Sequence, residues 1–157
     1  MEKDHYYEIE VKWTGNLGTG TKSYTSYKRD HEIIAAGKEK ISGSSDPSFR
    51  GDEKRYNPEE LLVSTLSSCH MLFYLHFCAV NKITIEEYVD QAEGIMHETP
   101  EGSGYFTKVT LKPSILIREP EKVKLAMDLH HDAHKSCFIA NSVNFEVLVV
   151  PNIKTVE

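Results

Sequence analysis

The segment 57–80 constrains the fold of this chain more than any other. Asn57 is a favourable N-cap residue, and Pro58 suits the first position of a helix. Glu59 and Glu60 then place negative charge at the positive end of the helix dipole. The pattern therefore predicts a long helix that ends near Val80. Its apolar residues lie nearly all round the helix: Leu61, Leu62, Leu66, Cys69, Leu72, Phe73 and Leu75. Such a helix is buried on most sides, so we expect it to be the central element of the fold.

Shorter segments on both sides of this helix have the alternation typical of strands. The predicted strands are residues 7–13, 21–28 and 31–36 before the helix, and 84–97, 107–117 and 143–149 after it. Residues 37–56, rich in Gly, Ser, Lys and Asp, predict a long loop. Pro113 favours an edge strand or a bulge. A second helix is predicted to open at Glu119–Pro120 and to end near Ser136.

The predicted order, βββ–α–ββ–α–β, indicates an α+β fold in one domain spanning residues 1–157. The net charge is −6 and no stripe of Lys and Arg is present, so we expect neither a nucleic-acid partner nor a membrane partner. The first residues are charged and contain no apolar signal region. We therefore expect a cytoplasmic protein, in which its three cysteines stay reduced.

Two of these cysteines are candidates for chemistry. Cys69 lies in the middle of the long helix and Cys137 at the end of the second one. A free cysteine is about as often a small buried hydrophobe as a reactive group, and Cys78 has only this structural interpretation. Two histidines, His70 and His134, lie near the candidate cysteines, which leaves a Cys/His metal site as an alternative.

Three groups of residues resemble a known family. They are Asn57-Pro58-Glu59-Glu60-Leu61-Leu62, Ser67-Ser68-Cys69, and Ala133-His134-Lys135-Ser136-Cys137 followed by Asn141-Ser142-Val143. Together they are similar to the OsmC/Ohr family of osmotically inducible and organic hydroperoxide resistance proteins. The resemblance extends over essentially the whole chain. The chain departs from the family pattern at His70, where a small or apolar residue is usual, and at Phe138, where proline is frequent.

The resemblance implies an OsmC-like fold, an intertwined homodimer whose central helices cross, and a thiol-dependent peroxidase that takes part in the oxidative stress response. It implies that Cys69 is the peroxidatic cysteine, Cys137 the resolving cysteine and Glu59 their acidic partner. The family's arginine near the thiolate corresponds to Arg50, with Arg55 as the alternative. No cofactor is implied, and an external dithiol is the expected reductant.

Peroxide chemistry gives each of these groups a task. Only a thiolate attacks a peroxide oxygen well, and a neighbouring guanidinium favours the thiolate and the alkoxide that leaves. A carboxylate such as that of Glu59 would hold the arginine. The sulfenic acid on Cys69 would then condense with Cys137 to a disulfide. Aromatic residues suit an organic hydroperoxide as the substrate: Phe49, Tyr56, Phe73 and Phe138.

Helix geometry adds an argument for a dimer. Ten residues separate Glu59 from Cys69, which is about 15 Å along a straight helix. If both serve one site, Glu59 must come from a partner chain. Two alternatives remain open besides the peroxidase: a non-enzymatic dimer that binds a small apolar ligand, and a metal protein that uses Cys69, His70, His134 and Cys137.

Overall fold

Internal contacts divide the chain into two units in this computed structural model, which describes residues 1–156. The first unit is Met1–Leu61 and the second begins at Leu62. The architecture is mixed α+β, as predicted, with small sheets and two long helices. The prediction of one domain spanning the chain stays a prediction.

The first unit contains an antiparallel sheet of three short strands. They are β1 (Glu10–Trp13), β2 (His31–Ile34) and β3 (Ile41–Gly43), in the order β1-β2-β3. A 3₁₀ turn at Pro47–Phe49 follows, and the side chain of Asp46 caps it by accepting from the Ser48 N–H at 2.7 Å. This unit ends in the first turn of helix α1 (Pro58–Val80).

Three predictions for this unit are corrected. β1 covers only residues 10–13 of the strand predicted over 7–13, and its residues are exposed on both faces of the single chain. Residues 21–28 form turns rather than a strand, because side chains bind the local backbone: the Ser26 hydroxyl donates to the carbonyls of Gly20 and Ser23. The predicted loop 37–56 contains β3, which pairs with β2.

The second unit contains two further three-stranded sheets. Their strands are β4 (Ile85–Asp90), β5 (Glu93–Glu98), β6 (Gly104–Leu111), β7 (Pro113–Ile117), β8 (Glu146–Val149) and β9 (Asn152–Thr155). One sheet has the order β4-β7-β9 and the other β5-β6-β8. In each sheet the last pairing is parallel and the other is antiparallel.

The predicted strands 84–97 and 107–117 are each divided in two, with one half in each sheet, whereas the predicted strand 143–149 corresponds to β8 alone and is followed by an unpredicted strand, β9, in the other sheet. Proline marks two of the breaks, since Pro113 opens β7 and Pro151 separates β8 from β9. At the third, the carboxylate of Asp90 accepts the backbone N–H of Lys112 at 2.6 Å and the hydroxyl of Ser67 at 2.5 Å. Pro113 is the first residue of a central strand, so the predicted edge position is wrong.

Helix α1 buries one residue in each successive turn within the second unit: Leu66, His70, Tyr74 and Cys78. Leu66 packs with Val109 and Leu111 of β6 in one core cluster, and Tyr74 and Cys78 belong to another. Helix α2 (Val123–Ser136) contributes Ala126, Leu129, His130 and Ala133 to the buried residues. Both helices begin and end close to the predicted positions.

Other faces of α1 are uncovered in the single chain. Leu72 is 63% exposed although it is fully apolar. The length and apolar composition of α1 would also be sufficient for a membrane-spanning helix. The core helix of a soluble protein can have the same length and composition. An exposed apolar helix face of this kind calls for a covering partner.

Candidate active site

Helices α1 and α2 bring two of the predicted site residues together. Cys69 lies in the middle of α1 and is half-buried, whereas Cys137 is the C-cap residue of α2 and is 1% exposed. The backbone N–H of Cys137 donates to the carbonyl of His134, and its Sγ accepts from the N–H of Ala140 at 3.4 Å. Both cysteines are free thiols.

The environment of Cys137 favours its protonated form. Burial, together with hydrogen bonding to the Cys69 side chain, raises the pKa of Cys137 to about 11, against the opposing effect of the Ala140 N–H. Cys137 is therefore a neutral thiol near pH 7. The Cys137 and Cys69 side chains are hydrogen-bonded neighbours, so a disulfide between them would link α1 to the end of α2.

A pair of buried histidines joins the same two helices. His70 Nε2 and His130 Nδ1 are 3.0 Å apart and share a hydrogen bond. The two residues are 1% and 4% exposed, and their rings are nearly parallel. The ring of Tyr74 stacks on His130 with the centroids 3.8 Å apart.

Both imidazoles are neutral in this environment. Burial, with a smaller contribution from His134, lowers the pKa of His70 to about 4. Burial, with a smaller contribution from His70, lowers the pKa of His130 to about 3. One ring therefore donates and the other accepts, while His70 Nδ1 and His130 Nε2 have no hydrogen-bond partner among the described residues.

Aromatic side chains follow each cysteine. Phe73 lies one turn beyond Cys69 on α1, and Phe138 comes directly after Cys137. Their rings meet edge to face at 5.1 Å, and Phe138 is 70% exposed. This contact provides an apolar surface adjoining the two thiols, as expected for a site that receives an organic molecule.

Arg50 belongs to the first unit and has an unusual backbone. Its φ of 66° lies in the left-handed region, which non-glycine residues rarely adopt. The next residue must be glycine, because a Cβ on Gly51 would lie 1.5 Å from the carbonyl oxygen of Ser45. Arg50 helps to line a cavity of about 250 Å³ that Lys28, Asp30, Gly51 and Asp52 complete.

The two candidate arginines differ in their partners. Arg55 is held by two carboxylates, with its Nε 3.7 Å from Asp30 and 3.8 Å from Asp52. Arg50 has no ion pair with any of residues 1–156, and its guanidinium lies 5.9 Å from the centre of the Tyr24 ring. Arg50 is thus the arginine whose charge is available to a substrate or to another chain.

Glu59 lies in the first turn of α1, also within the first unit. Its neighbours form a capping box, in which Asn57 Oδ1 accepts the N–H of Glu60 at 2.8 Å and Glu60 Oε2 accepts the N–H of Asn57 at 3.2 Å. Glu59 takes no part in this box. Its Oε2 is buried and lacks a hydrogen-bond partner in the described part of the chain, a costly state that a cationic donor would relieve.

The metal alternative lacks a ligand set. Within residues 1–156, no three His, Cys, Asp or Glu side chains are placed to hold a metal ion. The four residues of that hypothesis, Cys69, His70, His134 and Cys137, therefore do not form a metal centre here.

The hydrogen bond between His70 and His130 was not predicted from the sequence. The only sequence signal for it is that each apolar helix stripe contains one polar residue.

A model of OsmC-like proteins matches residues 51–150, which is most of the chain. The chain belongs to the OsmC-like family. An OsmC-like protein from Vibrio cholerae shares 33% sequence identity, with 94% of this chain and 99% of that one covered and a TM-score of 0.82. Protein YmaD of Bacillus subtilis is 24% identical over 96% of both chains.

Several structural neighbours are named organic hydroperoxide resistance proteins. An organic hydroperoxide resistance protein from Elizabethkingia anophelis has 20% identity and a TM-score of 0.69, with 97% of this chain and 100% of that one covered. At this identity the likeness concerns the fold alone. The predicted resemblance to the OsmC/Ohr family is confirmed.

The buried histidine pair predicts an acid-sensitive fold. Because both pKa values are depressed from about 6.5 on folding, stability is fully present above pH 6.5 and falls with pH toward 4. We expect each histidine to cost about 2 kcal/mol of unfolding free energy between pH 7 and pH 5. Urea unfolding at both pH values measures this loss. His70→Gln should remove about half of it, whereas replacing the exposed His131 by Ala should leave it unchanged. An unfolding free energy that stays constant from pH 7 to pH 5 would contradict the assignment.

Proposed function

We propose that this protein is a thiol peroxidase that reduces organic hydroperoxides to alcohols. The observation that carries the proposal is the direct interaction of the Cys69 and Cys137 thiols across the α1–α2 contact. Membership of the OsmC-like family and the aromatic surface of Phe73 and Phe138 support it. No cofactor takes part, because the two sulfur atoms carry both electrons.

The reaction has three balanced steps. The Cys69 thiolate attacks the terminal oxygen of ROOH, the O–O bond breaks, and a proton converts the leaving alkoxide into ROH. Cys137 then attacks the sulfenic sulfur of Cys69, and hydroxide leaves with the Cys137 proton as water. An external dithiol reduces the disulfide by two thiol–disulfide exchanges and is itself oxidised.

The protonated state of Cys137 sets the order of these steps. A thiol with a pKa of about 11 is a poor nucleophile near pH 7, so half-buried Cys69 is the group that meets the peroxide first. Cys137 becomes reactive only beside the sulfenic acid. The leaving oxygen there accepts its proton.

Arg50 and Glu59 complete the proposed site. A guanidinium beside the thiolate favours its ionised form and stabilises the departing alkoxide. The unpaired buried oxygen of Glu59 suits the carboxylate that holds this guanidinium. Arg50 is the better candidate because Arg55 already pairs with Asp30 and Asp52.

The proposal includes a homodimer with composite sites. The uncovered apolar face of α1, with Leu72 63% exposed, would be covered by the same helix of a second chain. Ten residues of helix separate Glu59 from Cys69, about 15 Å, so each carboxylate would serve the partner's thiolate. We propose a cytoplasmic location, where dithiol reductants are available.

Thiol counting tests the cysteine roles. One equivalent of cumene hydroperoxide should remove two thiols per chain from the wild type and none from Cys69→Ser. Cys137→Ser should lose one thiol and should over-oxidise when further equivalents of the hydroperoxide are added, because nothing resolves its sulfenic acid. Cys78→Ala, altered at a fully buried core position, should behave as the wild type. Two thiols lost from Cys69→Ser would reject the assignment, and no loss from the wild type would favour a binding protein.

Substitution of the two arginines tests the electrostatic role. Arg50→Ala should slow thiol loss by roughly tenfold or more, because it removes the charge that stabilises the transition state. Arg50→Lys should restore part of the rate, since it keeps the charge but not the planar fork. Arg55→Ala should change stability more than rate. A slow reaction in Arg55→Ala alone would exchange the roles of the two arginines.

Sedimentation and complementation test the dimer. The wild type should sediment as a dimer at micromolar concentration, and Leu72→Glu should dissociate it, whereas Lys124→Glu at an exposed position of α2 should not. Inactive Cys69→Ser and slow Glu59→Gln chains, mixed and reassociated, should regain about a quarter of the wild-type rate, because each mixed dimer keeps one intact site. A wild-type monomer, or a mixture that regains nothing, would exclude composite sites.

A further inference from the structure

The proposed chemistry makes no use of the hydrogen bond between His70 and His130. This bond links residues 60 positions apart, and it lies entirely in the interior. It joins the same two helices that carry Cys69 and Cys137. The bond can therefore affect the relative positions of the two thiols.

The histidines and the cysteines are related by helix geometry. His70 follows Cys69 directly on α1, so the two share the same turn. His130 precedes Cys137 by seven residues, about two turns of α2, so they lie on the same side of that helix. A bond that fixes the distance between His70 and His130 therefore also limits how far Cys69 can move from Cys137.

Packing alone does not account for this pair. Two imidazoles are withdrawn from water while His70 Nδ1 and His130 Nε2 find no partner in the described residues, which costs free energy. Two aliphatic side chains would fill the space without that cost. A hydrogen bond differs from an aliphatic contact in being directional, with a preferred length near 3 Å, so it defines the axial position of one helix on the other.

We propose that the His70–His130 hydrogen bond positions Cys69 against Cys137 and thereby sets how readily the two thiols form a disulfide. Both histidines are positioning residues, since they act through the helices. The role in turnover rests on the proposed peroxidase function. The geometric effect on the disulfide does not, because any thiol oxidant can form that bond.

Exchange with glutathione measures the positioning directly. Oxidised glutathione takes the two electrons of the cysteine pair and becomes two reduced glutathione molecules, while Cys69 and Cys137 form their disulfide. We expect His70→Leu and His130→Leu to lower this equilibrium constant at least tenfold relative to the wild type. A tenfold change is a shift of about 30 mV toward a more oxidising potential. Cys78→Ala is kept in every chain to prevent other pairings.

Matched amide variants separate the hydrogen bond from general damage to the core. The Gln amide extends as far as the imidazole Nε2, whereas the Asn amide ends near Nδ1. At position 70, where Nε2 makes the bond, Gln should restore the equilibrium constant and Asn should not. At position 130, where Nδ1 makes the bond, Asn should restore it and Gln should not. His131→Ala, at an exposed neighbour, should match the wild type.

Urea unfolding identifies the variants that fold. If the Leu variants do not fold, the comparison of the Gln and Asn variants tests the positioning role on its own. Equal constants for Gln and Asn at both positions, or a folded His70→Leu chain within twofold of the wild type, would overturn the proposal. So would a wild type that forms no Cys69–Cys137 disulfide with glutathione. A wild type that loses no thiol to cumene hydroperoxide rejects the peroxidase function instead, and the glutathione equilibrium still decides the positioning role.

Discussion

The second unit depends on the burial of one stripe along α1. Leu66 anchors this stripe among the residues of β6, and Tyr74 and Cys78 anchor it in a second core cluster that includes residues of α2. His70 lies between them at the same helical spacing. Cys69 comes one residue earlier, about 100° round the helix, and so lies at the margin of the stripe. That position explains why Cys69 is half-buried while its partner Cys137 is 1% exposed. The packing of one helix thus gives the two thiols different access to solvent.

This difference in burial is also a chemical difference. The pKa of Cys137 is raised because its thiolate would be formed away from water and beside another sulfur atom. In the proposed reaction, a peroxide that enters from solvent would meet Cys69 first, and Cys137 would be protected from direct oxidation. The same two helices hold the neutral pair of His70 and His130, whose low pKa values have the same origin in burial. The interior between α1 and α2 therefore keeps Cys137, His70 and His130 uncharged near pH 7.

Features that depend on residues close together in the sequence could be predicted. Contacts between residues far apart in the sequence could not. Both helices were predicted from signals that act within one turn, namely Asn57-Pro58 at the start of α1 and Pro120 in the 3₁₀ turn Pro120–Lys122 that leads into α2. The bends that divide the predicted strands 84–97 and 107–117 were missed because alternation continues through them, and β9, which follows Pro151, was not predicted at all. The cysteine pair was proposed from a family resemblance, since nothing local relates residues 68 positions apart. The His70–His130 bond had no such guide and was missed altogether.

The first turn of α1 contains a buried carboxylate oxygen that lacks a hydrogen-bond donor within residues 1–156. Glu59 stands in a well-capped turn, yet one of its carboxylate oxygens is buried without a hydrogen-bond partner in the described residues. Folding tolerates such an oxygen where another group supplies the missing donor, and an arginine supplies it best because its fork matches a carboxylate. Arg50 has a guanidinium with no carboxylate partner in residues 1–156 and a backbone held in a strained conformation by the tight approach of Gly51 to Ser45. In the proposed site, the unpaired oxygen of Glu59 would accept from the guanidinium of Arg50, and the two side chains would form one ion pair. In the proposed peroxidase this pair would lie beside the Cys69 thiolate, and because about 15 Å of helix separates Glu59 from Cys69, a second chain would have to bring it there.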